Sequence, residues 1–346
     1  MNTLSLTRLR PARKFVILLL SLSLAAVLLA ACGSNKAQEN ETPETPAAVT
    51  NEEAASTLVT AVEESAAEPS LYPMTVTDEM GHELTIPSKP QRIFAPVMED
   101  YLVALGIKPA LQWSNGTSPQ LYLQDQLGDV PEISFASGLP SSESVLSYTP
   151  DLIILHSAYY AGDGVYEQYA KIAPTYVYEN ASHDVGSSIR KLAELLGEPE
   201  AAEQAAKDYE ASASLAREKL AKLTEGKKAA IIRFNARGMF FMGPDYYSGY
   251  VLAHDLGFAP SKLVQEGAFE VSLEVLPELD ADYIFLVNDG NQGDAFLKEL
   301  KESIIWERVP AVKNGQVYET TRDYWLAGGY VAQSKVIADV VGFLAP

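Results

Sequence analysis

The sequence predicts an α/β protein of two similar three-layer lobes, each with a mainly parallel sheet, joined by one long rigid helix. Three observations predict it. Short apolar strands alternate with amphipathic helices along most of the chain, the pattern of parallel sheets covered by helices. A stretch of 25 residues, 199–223, has no glycine and only one proline, at its start. Finally, "SSESVLSYTPDLIILHS", beginning at Ser141, has an echo 131 residues on in "VSLEVLPELDADYIFLV".

The chain of 346 residues suits about two domains. Near its start come "RLRPARK", a basic segment, then a mainly apolar stretch of 17 residues, "FVILLLSLSLAAVLLAA", short for a membrane span, and "LAAC" ends at Cys32. This is similar to a bacterial lipoprotein signal, which implies cleavage after residue 31 and lipid on the Cys32 thiol. Cys32 is the only cysteine, so no internal disulfide is possible. Residues 32–71 hold mostly Ala, Glu, Thr, Pro and Asn, too little apolar surface to offset ordering entropy, and read as a disordered tether. Its reach as a flexible coil is about 35 Å.

Residues 72–197 read as the first lobe. "MTVTDEMGHELTIP" alternates around Met80-Gly81 as a hairpin. "RIFAP", "PALQW", "DLIILH" and "TYVY" read as strands; "MEDYLVALG", "SPQLYLQDQLG", "SSESVLSY" and "VYEQYAKIA" read as helices. Residues 198–226 form the bridge. Ala, Leu, Glu and Lys dominate it, and 25 residues at helical rise span about 38 Å. The second lobe, 227–346, repeats the alternation: strands "KKAAIIRF", "GMFFMG", "DYIFLV" and "GQVYET", with helices "YSGYVLAHDLG", "SLEVLPEL", "DAFLKELKE" and a closing helix over 329–344. The echo is then one helix-to-strand step used twice. Ser141 and Ser272 stand at helix starts, Glu143 and Glu274 in first turns, and Asp151 and Asp282 at strand heads.

Net charge is −20, and residues 1–32 contain four basic groups and no acid, so the remainder holds 22 basic against 46 acidic groups. Such a body repels nucleic acid. The four histidines are scattered without ligand spacing, which argues against a zinc or manganese carrier. No G-x-S-x-G, H-E-x-x-H or phosphate-loop pattern occurs.

The leader, "RIFAP…ALGIKP", "SSESVLSYTPDLII", the bridge, "SLEVLPELDADYIFL" and "IIWERVPAVKNGQVYE" together resemble the helix-bridged substrate-binding lipoproteins of ABC importers. That group serves ferric siderophores, haem and vitamin B12. "IIRF…YYSGYVLAHDLG" and "DYWLAGGYVAQSK" look most like its ferric-siderophore branch, and within it the catecholate binders. The resemblance implies a monomeric receptor, not an enzyme, without cofactor. It would sit lipid-anchored on the outer face of the bacterial cytoplasmic membrane and deliver a ferric siderophore to a permease dimer driven by a cytoplasmic ATPase. Two departures stand out. The loops "SNGTSPQ" and "HSAYYAGD" lack the lysines of the catecholate binders, and "RFNAR" has Asn235 where the family has a second arginine. A hydroxamate or mixed ligand therefore stays open.

Ligands of parallel sheets sit beyond the carboxyl ends of strands. With the resemblance, that rule selects Trp113 and Tyr159 from the first lobe, and Arg233, Asn235, Arg237, Tyr247, Trp325 and Tyr330 from the second. Aromatic rings supply rigid contact area and arginines supply forked donors for ligand oxygens. Glu143 and Glu274 suit the amide ends of their helices as they stand; the resemblance implies that they dock on the two permease subunits. Two rival readings are bare ferric ion, held by the pairs Tyr159-Tyr160 and Tyr246-Tyr247, and an exported hydrolase with an acid–base pair of glutamates, which need to lie about 5–9 Å apart.

Overall fold

The computed structural model describes residues 71–345. The leader, Cys32 and the tether up to residue 70 lie outside the described residues. The first half opens with an antiparallel hairpin, β1 (Met74–Thr77) and β2 (Glu83–Ile86), in the register Met74 to Ile86. Its turn is held by Asp78, whose carboxylate accepts the backbone N–H groups of Met80 and His82. β3 (Ile93–Phe94), β6 (Leu152–Leu155) and β7 (Thr175–Val177) then form a parallel sheet in the order β3-β6-β7. β4 (Gln112–Ser114) and β5 (Glu132–Ser134) make a separate parallel pair. All four residues of β6 are buried, as expected of a parallel strand covered on both faces.

In the second half, β8 (Lys228–Asn235), β9 (Gly238–Met242), β11 (Ala268–Val271), β12 (Tyr283–Asn288) and β13 (Val317–Thr320) lie in the order β11-β9-β8-β12-β13, and β10 (Ala259–Pro260) pairs with the start of β8. β8, β12, β13 and β10 run parallel; at one side β9 pairs antiparallel with β8, and β11 pairs antiparallel with β9. The short strands β5, β10 and β11 escape the sequence reading because none carries an apolar run: β5 is "EIS" and buries only Ile133. "SLEVLPEL" is a 3₁₀ rather than an α turn, Leu273–Glu278, with Pro277 inside it.

The bridging helix is Pro199–Thr224, with its proline in the first turn. It buries Ala202, Ala205, Ala206, Tyr209, Ala213, Ala216 and Leu220, one stripe at helical spacing. The alanines let it pack closely against the helix Val185–Leu196 and the closing helix Tyr330–Leu344. One apolar core runs from Ile86 and Leu152 through this stripe to Phe285 and Val336. The two halves thus share buried surface, which fixes the space between them.

A polar seam adds to this. Asp100, fully buried in the first half, accepts the N–H groups of Val331 and Ala332 at 2.6 and 2.8 Å and so caps the closing helix of the second half. Gly329 makes this approach possible, since a Cβ there would stand 2.6 Å from the Asp100 carboxyl carbon, and its φ of +130° suits glycine alone. Gln333 Nε2 donates to the Ser182 carbonyl, and the Tyr209 hydroxyl lies 3.1 Å from Gln333 Oε1.

Candidate ligand-binding cleft

The carboxyl ends of strands from both halves meet at one cleft. Trp113 stands in β4, His156 follows β6, Asp289 follows β12 and Arg322 comes two residues after β13. The cleft has two contiguous hollows that share His156, Tyr160 and Tyr247. The first, with an open volume of about 660 Å³, is lined by Trp113, Gln120 and Leu121 from one half and by Arg322 and Asp323 from the other. The second, about 650 Å³, lies between Tyr159 and Asn180 on one side and Asp245 and Tyr246 on the other.

Several groups are held rigidly. The Trp113 backbone N–H donates to Glu99 Oε1 at 2.6 Å, which ties the strand carrying the indole to a fully buried carboxyl. Glu99 Oε2 is buried without a partner, and burial pushes this carboxyl up to about 7. Of the non-glycine residues with positive φ among the described residues, Val97 (68°) and Tyr247 (47°) both line the cleft. A β-branched residue there is a genuine outlier, and such strain gathers at ligand sites.

The second half supplies the charge. Arg233 and Arg322 both pair with Asp289: Arg233 Nη2 donates to Oδ2, and Arg322 Nε lies 3.0 Å from Oδ1. The Arg322 contact is an ion pair that is misaligned for a hydrogen bond, and both Nε atoms are buried with no acceptor. His156 is buried, and that burial pulls its ring down to about 4, so it is neutral at ordinary pH. Burial raises the hydroxyls of Tyr160 and Tyr247, which therefore keep their protons. The arrangement can grip a compact ligand between aromatic walls and a single guanidinium pair; it brings together no nucleophile with a base.

A family model described as periplasmic binding protein matches residues 99–324. The chain belongs to the periplasmic binding protein family. It is similar to the probable siderophore-binding lipoprotein YfiY of Bacillus subtilis, at 27% identity over 77% of this chain and 86% of that protein. It is likewise similar to the iron(3+)-hydroxamate-binding protein FhuD of the same organism, at 29% identity over 68% and 75%. The crystal structure of Staphylococcus aureus SirA complexed with staphyloferrin B matches with a TM-score of 0.69 and 27% identity, covering 78% of this chain and 98% of that one.

In this binding protein, the expected contacts divide. Trp113, Tyr159 and Tyr247 line the hollows, and Arg233 adjoins them through Asp289. Tyr159 is 87% exposed, at the rim. Four expected contacts are corrected. Trp325 is fully buried, its indole N–H donating to Asp339 at 2.9 Å and its ring 5.1 Å from Phe285: it is core. Tyr330 turns to the bridging helix, its ring 6.0 Å from Tyr209. Asn235 is buried, and its Oδ1 accepts Arg237 and Gly238 N–H groups, so it closes the β8–β9 turn. Arg237 is carried by that turn to a different hollow, beside Glu270 and Glu274, with its guanidinium 5.2 Å from the Phe240 ring centre.

Arg322 and Asp289 are the groups that sequence reasoning missed. Both obey the strand-end rule, so the signal was present. The stretch "DYWLAGGYVAQSK" starts one residue after Arg322 and points to its tryptophan, but one short helix, Arg322–Trp325, presents its first residue to the cleft and its last to the core.

Glu143 and Glu274 are both exposed. Ser141 accepts the Ser144 N–H at 3.2 Å, a true cap, and Glu143 is held below the usual range by its own backbone N–H and then by Ser141. Ser272 makes no such cap; it bonds the Glu274 carboxylate instead and lowers it.

Proposed function

We propose that this chain is the siderophore-binding component of an ABC importer, taking an intact ferric siderophore into the cleft between its halves. The observation that carries this is the cleft itself: Trp113 and Tyr160 from one half and Tyr247 and Arg322 from the other line one hollow between halves that share a core. Preformed walls limit the ordering cost of binding. The names of its relatives, a siderophore-binding lipoprotein and an iron(3+)-hydroxamate-binding protein, support the same class. A bare ferric ion is disfavoured, because it would displace tyrosine protons that burial holds more firmly than usual.

In this reading Cys32 carries lipid on the outer face of the cytoplasmic membrane. Glu143 and Glu274, exposed at matched steps of the internal repeat, dock on the two subunits of a permease whose ATPase lies in the cytoplasm. Arg233 and Arg322 hold ligand oxygens, and the protein acts as a monomer. Fluorescence titration against ferric siderophores, haem and vitamin B12 tests the reading. Saturable quenching by a ferric siderophore, and none by its iron-free form, is expected. Quenching by haem or B12 alone would replace the siderophore with that ligand.

A further inference from the structure

The charge of the cleft bears on which iron complex it takes. Arg322 is the one cation lining either hollow among the described residues, and no lysine lines them. Arg233 adjoins it, but Asp289 sits between the two guanidinium groups and engages both. Asp323 lines the first hollow and Asp245 the second. His156 adds nothing, since burial keeps it neutral. Two arginines therefore face three aspartates.

The common ferric siderophores differ in charge by simple counting. Three hydroxamates carry one negative charge each and cancel ferric iron. Three catecholates carry two each and leave a trianion, and citrate-type complexes are also anionic. At about 8 Å and an effective dielectric near 20, each uncompensated pair of like charges weakens binding by roughly 30-fold. A trianion in this cleft meets no surplus of positive charge to offset its lost hydration. A neutral complex needs only forked donors for its oxygens and aromatic faces for its body, and both are present.

We infer that the cleft is selective for neutral or cationic ferric trihydroxamates over tris-catecholates and polycarboxylates. This rests on the reading of the cleft as a ferric-siderophore site. The test is a fluorescence titration of the purified protein with four probes: ferrichrome, ferrioxamine B, ferric enterobactin and ferric citrate. At least one trihydroxamate should bind about 100-fold more tightly than either anionic complex. Its dissociation constant should change by less than about threefold between roughly 50 and 500 mM salt, because little net charge is exchanged. Asp323→Asn should raise the affinity for ferric enterobactin relative to the trihydroxamate by about 10-fold. Equal or tighter binding of ferric enterobactin or ferric citrate overturns the inference while leaving the siderophore reading intact. An unchanged ratio in Asp323→Asn also overturns its electrostatic basis. No binding of any of the four removes the siderophore reading along with it.

Discussion

Arg233 reaches Asp289 from β8 and Arg322 from the short helix that follows β13, and the shared carboxylate fixes both forks before a ligand arrives. A hydrogen bond from a charged donor contributes about 1.5–3 kcal/mol, so Arg322→Ala should weaken ferric-siderophore binding by that amount, measured by titration with the fold checked by circular dichroism. Arg322→Lys should recover only part of the loss, because an ammonium lacks the planar fork. Unaltered affinity in Arg322→Ala would remove this residue from the site. Glu99 makes a second prediction at this scale. Burial raises its carboxyl to about 7 in the fold, so between its ordinary value and pH 7 the folded chain holds a proton that the unfolded chain releases. Its contribution to stability is thus full in acid and is lost as pH rises toward 7. Asp100, raised to about 6, acts with the same sign. His156, lowered to about 4, acts oppositely, losing stability as pH falls below the ordinary histidine value. Glu99→Gln removes one of these contributions. Its melting temperature should gain on the wild type between pH 5 and 8, by the equivalent of about 2–3 kcal/mol. Parallel pH profiles for the two proteins would contradict the buried-carboxyl assignment.

Among the elements, the closing helix Tyr330–Leu344 depends on a residue from the other half. Its first turn is capped by Asp100, which also accepts the Tyr122 hydroxyl at 2.9 Å, and Tyr122 packs edge-on against Tyr324. Asp100→Ala leaves two buried N–H groups and a hydroxyl without their acceptor and should cost about 2–4 kcal/mol in denaturant unfolding. Amide exchange at Val331 and Ala332 should rise more than elsewhere in the helix; uniform exchange would show that the cap is dispensable. The bridging helix was legible in the sequence because its composition and lack of glycine are local properties. The repeat was legible too, and its aspartates have a shared role. Asp151 accepts the N–H groups of Gln91 and Arg92, while Asp282 accepts that of Lys228, so each pins the start of the neighbouring parallel strand. What stayed hidden were rotations within short segments. Asn235 and Arg237 were placed by their distance from a strand, but a tight turn took one into the backbone and the other to a separate face. The three short strands were hidden because pairing, not pattern, makes them strands.

For the whole molecule, the cleft and the exposed pair Glu143 and Glu274 have separate tasks in the proposed function. The shared core and the Asp100 seam tie the halves together, so in the proposed function a permease would read the exposed surface rather than a large closure. Glu143 and Glu274 are exposed at matched steps of the repeat, and neither lines the two hollows of the cleft; Glu274 lines a different one with Arg237. Glu143→Ala combined with Glu274→Ala should bind the ferric siderophore normally and fail in cellular uptake, and reversal to Arg should be more severe. Wild-type uptake at normal surface level would reduce both to helix-end residues. The central claim, capture of an intact iron complex, is tested most directly by a dual-label experiment. The protein is equilibrated with a siderophore carrying one isotope and iron carrying another, then separated from free ligand. The account predicts that iron and siderophore are retained in equal amounts and are lost together in Arg322→Ala. Retention of iron without siderophore, unaffected by Arg322→Ala, would contradict it.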